Sequence, residues 1–332
     1  MTLQSNPSHI IETGLKQSQG QFAKDVLRGL SAKKKKLSSQ YFYDETGSRI
    51  FEEIMKLPEY YLTNCEWDIF RKYKQEILYK MEGESFQLVD LGAGDAQKTR
   101  ILLDHFYSQG SVFQYVPIDI NRHVLEELQA SLLKDLPGLE TIAVVAEYFD
   151  ALEWIKINRK GRKLVLFMGS NIGNFNKKAA ASFLTEMLHV LEHDDLLLIG
   201  IDLKKDPRKI LRAYDDSSGV TARFNFNLLH RINTELGADF DLNKWTHYAS
   251  YNPVNGATTS YLVSKENQKI FIKALDKTFL FDAFEPVLTE YSYKYSLMEI
   301  TAMAGNCGFE IVQNFLSEDE GFADVLWRVV KN

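Results

Sequence analysis

Residues 88–99, LVDLGAGDAQKT, carry a short apolar run into a glycine-rich turn and then into a helical pattern. Gly92 and Gly94 leave backbone open to a ligand that a Cβ would block. Free N–H groups at the start of the following helix can bind an anionic group such as a carboxylate. About 25 residues further on, a second apolar run, VFQYVPID, ends in Asp119, a carboxylate suited to accepting hydrogen bonds from a ribose diol. The competing reading is an ordinary strand-to-helix turn followed by a solvated aspartate, because the full GxGxxG pattern is absent. Asp119 at the second strand end favours a nucleoside ligand.

Further residue groups could extend such a site. Glu147 and Tyr148 follow a third apolar run, TIAVVA. A carboxylate there can accept from an adenine amino group while the ring stacks on the base, or the two can be a helix-start acid and a core aromatic. In MGSNIGNF, residues 168–175, Asn174 offers both a donor and an acceptor, enough to hold an amino-acid backbone, although a plain turn has the same composition. Tyr214 lies in RAYDDSSGVTARFN, residues 212–225, which by itself reads as a loop. Glu290 and Ser292, in TEYSYKYS, project to one face of a predicted strand, with Tyr291, Tyr293 and Tyr295 on the other. A buried Glu–Ser pair can bind a ring or chain bearing N–H groups; a solvated polar face is the alternative.

The elements that must position these groups follow from periodicity. Strands are expected near 86–91, 112–118, 141–146, 163–169 and 195–201, separated by helices near 97–107, 122–134, 150–157 and 177–192. Apolar strands alternating with helices predict a doubly wound parallel α/β sheet covered on both faces, with ligands at the carboxyl ends of its strands. Gly92, Asp119, Glu147 and Asn174 all fall there. Residues 1–85 read as a helical part of a substrate domain and 86–203 as the nucleoside-binding core. Residues 204–295 read as an inserted substrate-binding region, helical as far as Tyr251 and then stranded. Residues 296–332 read as a helix and hairpin that complete the core sheet. Pro58 is expected to stop one N-terminal helix, and Thr63 with Glu66 to form a capping box that starts the next.

Composition narrows the function classes. The chain has 332 residues, 45% hydrophobic and 25% charged, with a net charge of −6. That balance suits a globular enzyme and gives no general attraction for a phosphate backbone, so nucleic acid is not the expected partner. The lysines at 33–36 read as a solvated linker. Two cysteines, Cys65 and Cys307, make neither a disulfide framework nor a zinc signature, so no metal is expected. No basic-then-apolar leader and no apolar run of about 20 residues is present, and a cytoplasmic, monomeric protein acting on a small molecule is expected.

Five segments, YFYDETGSRIFEEIMKLPEYYLT, LVDLGAGDAQKT, GSNIGNF, RAYDDSSGVTARFN and LTEYSYKY, together resemble the ergothioneine-pathway L-histidine Nα-methyltransferases in order and spacing. The resemblance runs from about residue 22 to 330. It implies a class I methyltransferase fold using S-adenosyl-L-methionine (SAM), with transfer to the α-nitrogen of histidine up to the trimethylated betaine. By correspondence, Gly92, Lys98, Asp119, Glu147 and Tyr148 match SAM-binding positions, with Gly94 in the same turn. Tyr60 and Asn174 match residues that hold the substrate's carboxylate and amine, with Tyr214 beside them. Glu290 and Ser292 match residues that bond the imidazole, and Tyr43 is a further candidate near the amine. Two departures stand out: Glu147 replaces the family's usual aspartate, and Ser260 aligns with a methionine beside the substrate ring. The second bears on substrate identity, and another amino acid such as tryptophan or a derivative is the alternative.

Overall fold

The computed structural model describes residues 8–13 and 20–331. In chain order its elements begin β1 (Ser8–Glu12), α1 (Gln21–Leu30), α2 (Glu45–Met55), α3 (Tyr61–Tyr79), β2 (Phe86–Leu91), α4 (Arg100–Ser108), β3 (Phe113–Asp119) and α5 (Arg122–Asp135). Next come β4 (Glu140–Val145), α6 (Tyr148–Asn158), β5 (Lys163–Phe167), α7 (Lys177–Val190), β6 (Leu196–Asp202), α8 (Pro207–Arg212) and α9 (Val220–Leu236). The chain ends with β7 (Trp245–Asn252), β8 (Ala257–Ser264), β9 (Gln268–Ile272), β10 (Lys277–Phe281), β11 (Pro286–Tyr293), α10 (Leu297–Asn306), β12 (Phe309–Leu316) and β13 (Phe322–Val329). The described residues divide into two compact units, one of 8–13, 62–203 and 295–331, the other of 20–61 and 204–294.

The first unit is built on an eight-stranded sheet in the order β1-β4-β3-β2-β5-β6-β13-β12. β1 to β6 run parallel, and the β12–β13 hairpin adds antiparallel to β6. All of β5 and β6 is buried, as continuous apolar strands between two helical layers must be. The strand order reverses between β2 and β5, which opens a crevice at their carboxyl ends. The strands and helices expected here form within two or three residues of their predicted bounds. β1 is an addition: its short sequence, SHIIE, gains its identity by pairing with β4, far along the chain.

The second unit packs α1, α2 and α9 with a three-stranded antiparallel sheet, β11-β8-β7, and a β9–β10 hairpin. Phe224, Leu228 and Ile232 recur along one side of α9 and enter a core with Phe42, Trp245, Leu262, Phe281 and Val287. Two expectations are corrected here. The helical stretch expected to reach Tyr251 stops at Leu236, and Trp245–Asn252 is instead the strand β7, paired along its length with β8. The capping box at Thr63 and Glu66 does not start α3, which already begins at Tyr61. Glu66 lies within that helix, fully buried, and its carboxylate serves distant partners. Among the described residues, no helix is long and apolar enough to cross a membrane.

Candidate active site

Below the glycine turn, Asp90 closes β2 and is buried. Its carboxylate accepts from Thr99 Oγ1 at 2.7 Å and from Tyr115 Oη at 2.9 Å, which ties the start of α4 and the neighbouring strand β3 to the end of β2. Burial pushes this carboxyl up to about 6, against the pull of those two donors. Above it, Gly92 has φ +74° and Gly94 φ +53°, values that favour glycine. A Cβ on Gly92 would sit 2.9 Å from Tyr148 Oη, whereas one on Gly94 would meet nothing within 4 Å. The backbone is thus open beside Gly94 and closely roofed by a phenol beside Gly92.

At the end of β3, Asp119 Oδ2 accepts from the Gly94 N–H at 3.0 Å and Oδ1 from the Asn121 N–H at 2.9 Å. Burial raises its carboxyl above the usual range despite those bonds. With a further backbone bond from Ile120, the carboxylate still has capacity to accept from a diol. Tyr148 opens α6 with its ring edge-on to Phe167, and burial raises its phenol. Glu147, immediately before it, is exposed. Tyr148 is therefore a fixed wall and Glu147 an adjustable acceptor. These features fit a nucleoside carrying a diol and an exocyclic amine, as SAM does.

A hub absent from the sequence reading lies beside this turn. Glu66 is fully buried; one carboxylate oxygen accepts from the Gly169 N–H at 2.6 Å, and the other pairs with Lys98. One carboxylate therefore joins α3, the segment after β2 and the segment after β5. Asp324 on β13 is also fully buried, and both its oxygens lack a hydrogen-bond partner. Burial and the neighbouring Glu66 hold the Asp324 carboxyl well above its ordinary value. A local T-x-x-E pattern could not reveal partners more than a hundred residues away. Gly200 leaves the space for this hub: a Cβ there would lie 2.2 Å from Glu66 Oε1. Gly200→Ala is expected to displace Glu66 and destabilise the fold by about 1–3 kcal/mol. A thermal melt as stable as wild type would contradict that packing.

Beyond β5, Gly169 and Ser170 both take positive φ and lead into the short 3-10 turn Asn171–Asn174. Asn174 ends this turn, partly exposed.

In the second unit, Tyr43 packs edge-on against Phe51 and Phe224, and Tyr60 packs edge-on against the same Phe51. Tyr214 is buried just after α8, where Asp216 caps α9. Burial pushes Asp216 up, but bonds from Thr221, Ser218 and Val220 outweigh it and bring the carboxyl down to about 2. On β11, Tyr291 and Tyr293 stack with each other, while Ser292 is buried on the opposite face. A bulge between Leu288 and Glu290 sets the final register, and the extra residue, Thr289, bonds Asn225 and the Ser260 carbonyl. Glu290 then lies directly across from Ser260, whose hydroxyl donates to it at 3.4 Å. Burial pushes the Glu290 carboxyl up to about 7, offset by Lys294 and Ser260. Tyr214 Oη donates to Ser292 Oγ at 2.7 Å, so two residues far apart in sequence share one polar cluster.

The glycine turn, the strand-end carboxylate and the reversed strand order define a class I SAM-dependent methyltransferase. The match to known families then narrows the class. The chain belongs to the family described as histidine-specific, SAM-dependent methyltransferases, which matches residues 22–329. The histidine N-alpha-methyltransferase of Mycobacterium tuberculosis is 38% identical over 90% of this chain and 92% of that protein. Ergothioneine biosynthesis protein 1 of Schizosaccharomyces pombe is 31% identical over 86% of this chain and 38% of its own length. The 4-dimethylallyltryptophan N-methyltransferase of Epichloe festucae var. lolii is 26% identical over 84% of this chain and 88% of that protein.

Proposed function

We propose that this enzyme methylates the α-nitrogen of L-histidine, carrying it to the trimethylated betaine. The observation that carries the proposal is the polar face of β11, where Glu290 and Ser292 sit among buried groups inside a chain of the histidine-specific family. On this reading Gly92, Gly94, Lys98, Asp119, Glu147 and Tyr148 hold SAM. When bound, SAM supplies an electrophilic methyl group on a sulfonium centre.

The chain's own residues have three tasks: to grip the amino acid at two ends, to aim its nitrogen and to exclude water. Within the second unit, Tyr60 takes the backbone end of the amino acid, with Tyr214 beside it, and Glu290 and Ser292 take the ring. The amine must lose its proton before each transfer, and Tyr43 or a water molecule receives it. Anchoring at the carboxylate and the ring leaves the nitrogen free to turn between successive transfers. The same reading assigns the enzyme to the cytoplasm, which the unbridged Cys65 and Cys307 support.

Incubation with SAM and a mixture of all amino acids, followed by mass analysis, tests the proposal. Histidine gaining three methyl groups is the expected product. A methylated indole amino acid would transfer the assignment to the tryptophan alternative, and the absence of any methylated product would refute both.

A further inference from the structure

We infer that Lys294 fixes Ser292 as a pure hydrogen-bond donor, so that the pocket selects a ring presenting a lone pair to Ser292 and an N–H to Glu290. This inference rests on the histidine reading above. Lys294 is 1% exposed and lies one residue past the end of β11, two residues on from Ser292 and four from Glu290. Its Nζ donates to Tyr214 Oη at 2.7 Å and to Ser292 Oγ at 2.9 Å. Tyr214 Oη, having accepted from Lys294, turns its own proton to Ser292 Oγ at 2.7 Å.

An ammonium has three protons and no lone pair, so the direction of these bonds is not reversible at Lys294. Both lone pairs of the Ser292 oxygen are therefore filled, one by Lys294 and one by Tyr214. The capacity left to Ser292 is its single proton. Glu290 has the opposite character: the ionised carboxylate only accepts, and the Lys294 charge favours that ionised form. One donor and one acceptor on a shared face match a neutral imidazole, which carries one N–H and one bare nitrogen. A pyrrole or an indole has the N–H without the lone pair and would leave the Ser292 proton unpaired. An imidazolium has two N–H groups and would oppose that proton directly. Lys294 is thus a positioning residue for specificity, acting on the ring through Ser292.

The test compares kcat/KM for L-histidine with kcat/KM for 3-(pyrrol-2-yl)-L-alanine, which keeps an N–H but has no ring lone pair. Wild type is expected to prefer histidine by about 100-fold or more. In Lys294→Met, Tyr214 Oη loses its donor and can accept from Ser292, so a ring lacking the lone pair no longer strands a proton. The preference should fall by about tenfold or more. A general loosening of the fold would lower both rates and leave their ratio in place. Should Lys294→Met fail to fold, Lys294→Gln keeps a polar end whose amide oxygen can accept the Ser292 proton and must move the ratio the same way. A ratio unchanged in the folded variants overturns the role of Lys294 while leaving histidine as substrate. A wild-type enzyme that methylates no histidine overturns the underlying assignment, and this inference with it.

Discussion

Glu290→Ala is expected to raise the KM for L-histidine by about 30- to 100-fold, the loss that follows removal of a charge-assisted hydrogen bond from a desolvated site. S-adenosylhomocysteine binding, measured by calorimetry, should stay unchanged. The same carboxyl predicts a pH dependence. Burial lifts it to about 7, so at pH 6 it is mostly protonated and at pH 8 mostly an acceptor. KM for histidine should fall as pH rises through about 7, and Glu290→Gln should lose the part of that profile that wild type owes to this group. The sign for stability is the reverse. The native state holds this proton more tightly than the unfolded chain, whose carboxyl titrates near 4.5. The group's contribution is therefore intact at low pH and is lost as pH rises from about 4.5 to about 7. An unchanged KM in Glu290→Ala would remove the ring clamp from the mechanism.

Asp119→Asn should weaken S-adenosylhomocysteine binding by about 100-fold or more, through two effects that act together. The carboxylate now faces two backbone donors, Gly94 N–H on Oδ2 and Asn121 N–H on Oδ1. An amide has one oxygen, so its NH2 must confront one of those donors whichever way it is turned. The diol of the ribose also loses a charged acceptor. Binding heat and ligand-induced thermal stabilisation should shrink together, with histidine recognition at Glu290 intact. Wild-type affinity in Asp119→Asn would separate this strand end from the cofactor.

Much of this architecture is legible along the chain because it is local. Continuous apolar runs such as LVLF and LLLIGI can be buried only inside a sheet covered on both faces, and α5 and α7 open at Asn121 and Asn176, whose side chains cap them. Gly92 and Gly94 mark a turn because positive φ excludes most other residues. The alternation that puts Glu290 opposite Tyr291 and Tyr293 is equally local and is kept in β11, whereas Tyr295, expected on the same face, lies beyond the strand and is buried. Local signals misled where strand pairing decided. Residues 245–252 alternate well enough for a strand, but pairing with β8 across the turn at 253–256 is what makes them one.

By itself, then, the sequence determined the alternating strand and helix order, the glycine turn, the strand-end Asp119 and the family to which the chain belongs. Tertiary structure alone decided what the buried charges do. Glu66 reads as a helix cap until it meets Gly169 and Lys98, and Asp324 reads as part of an apolar strand until Glu66 lies beside it. Lys294 reads as one more polar residue until Tyr214 and Ser292 surround its ammonium. For Glu66 and Lys294 the physical reason is the same, whereas Asp324 has no hydrogen-bond partner and burial favours its neutral form. A charge removed from water must find compensation within about 3 Å, and in a folded chain the groups that provide it come from segments the sequence keeps far apart.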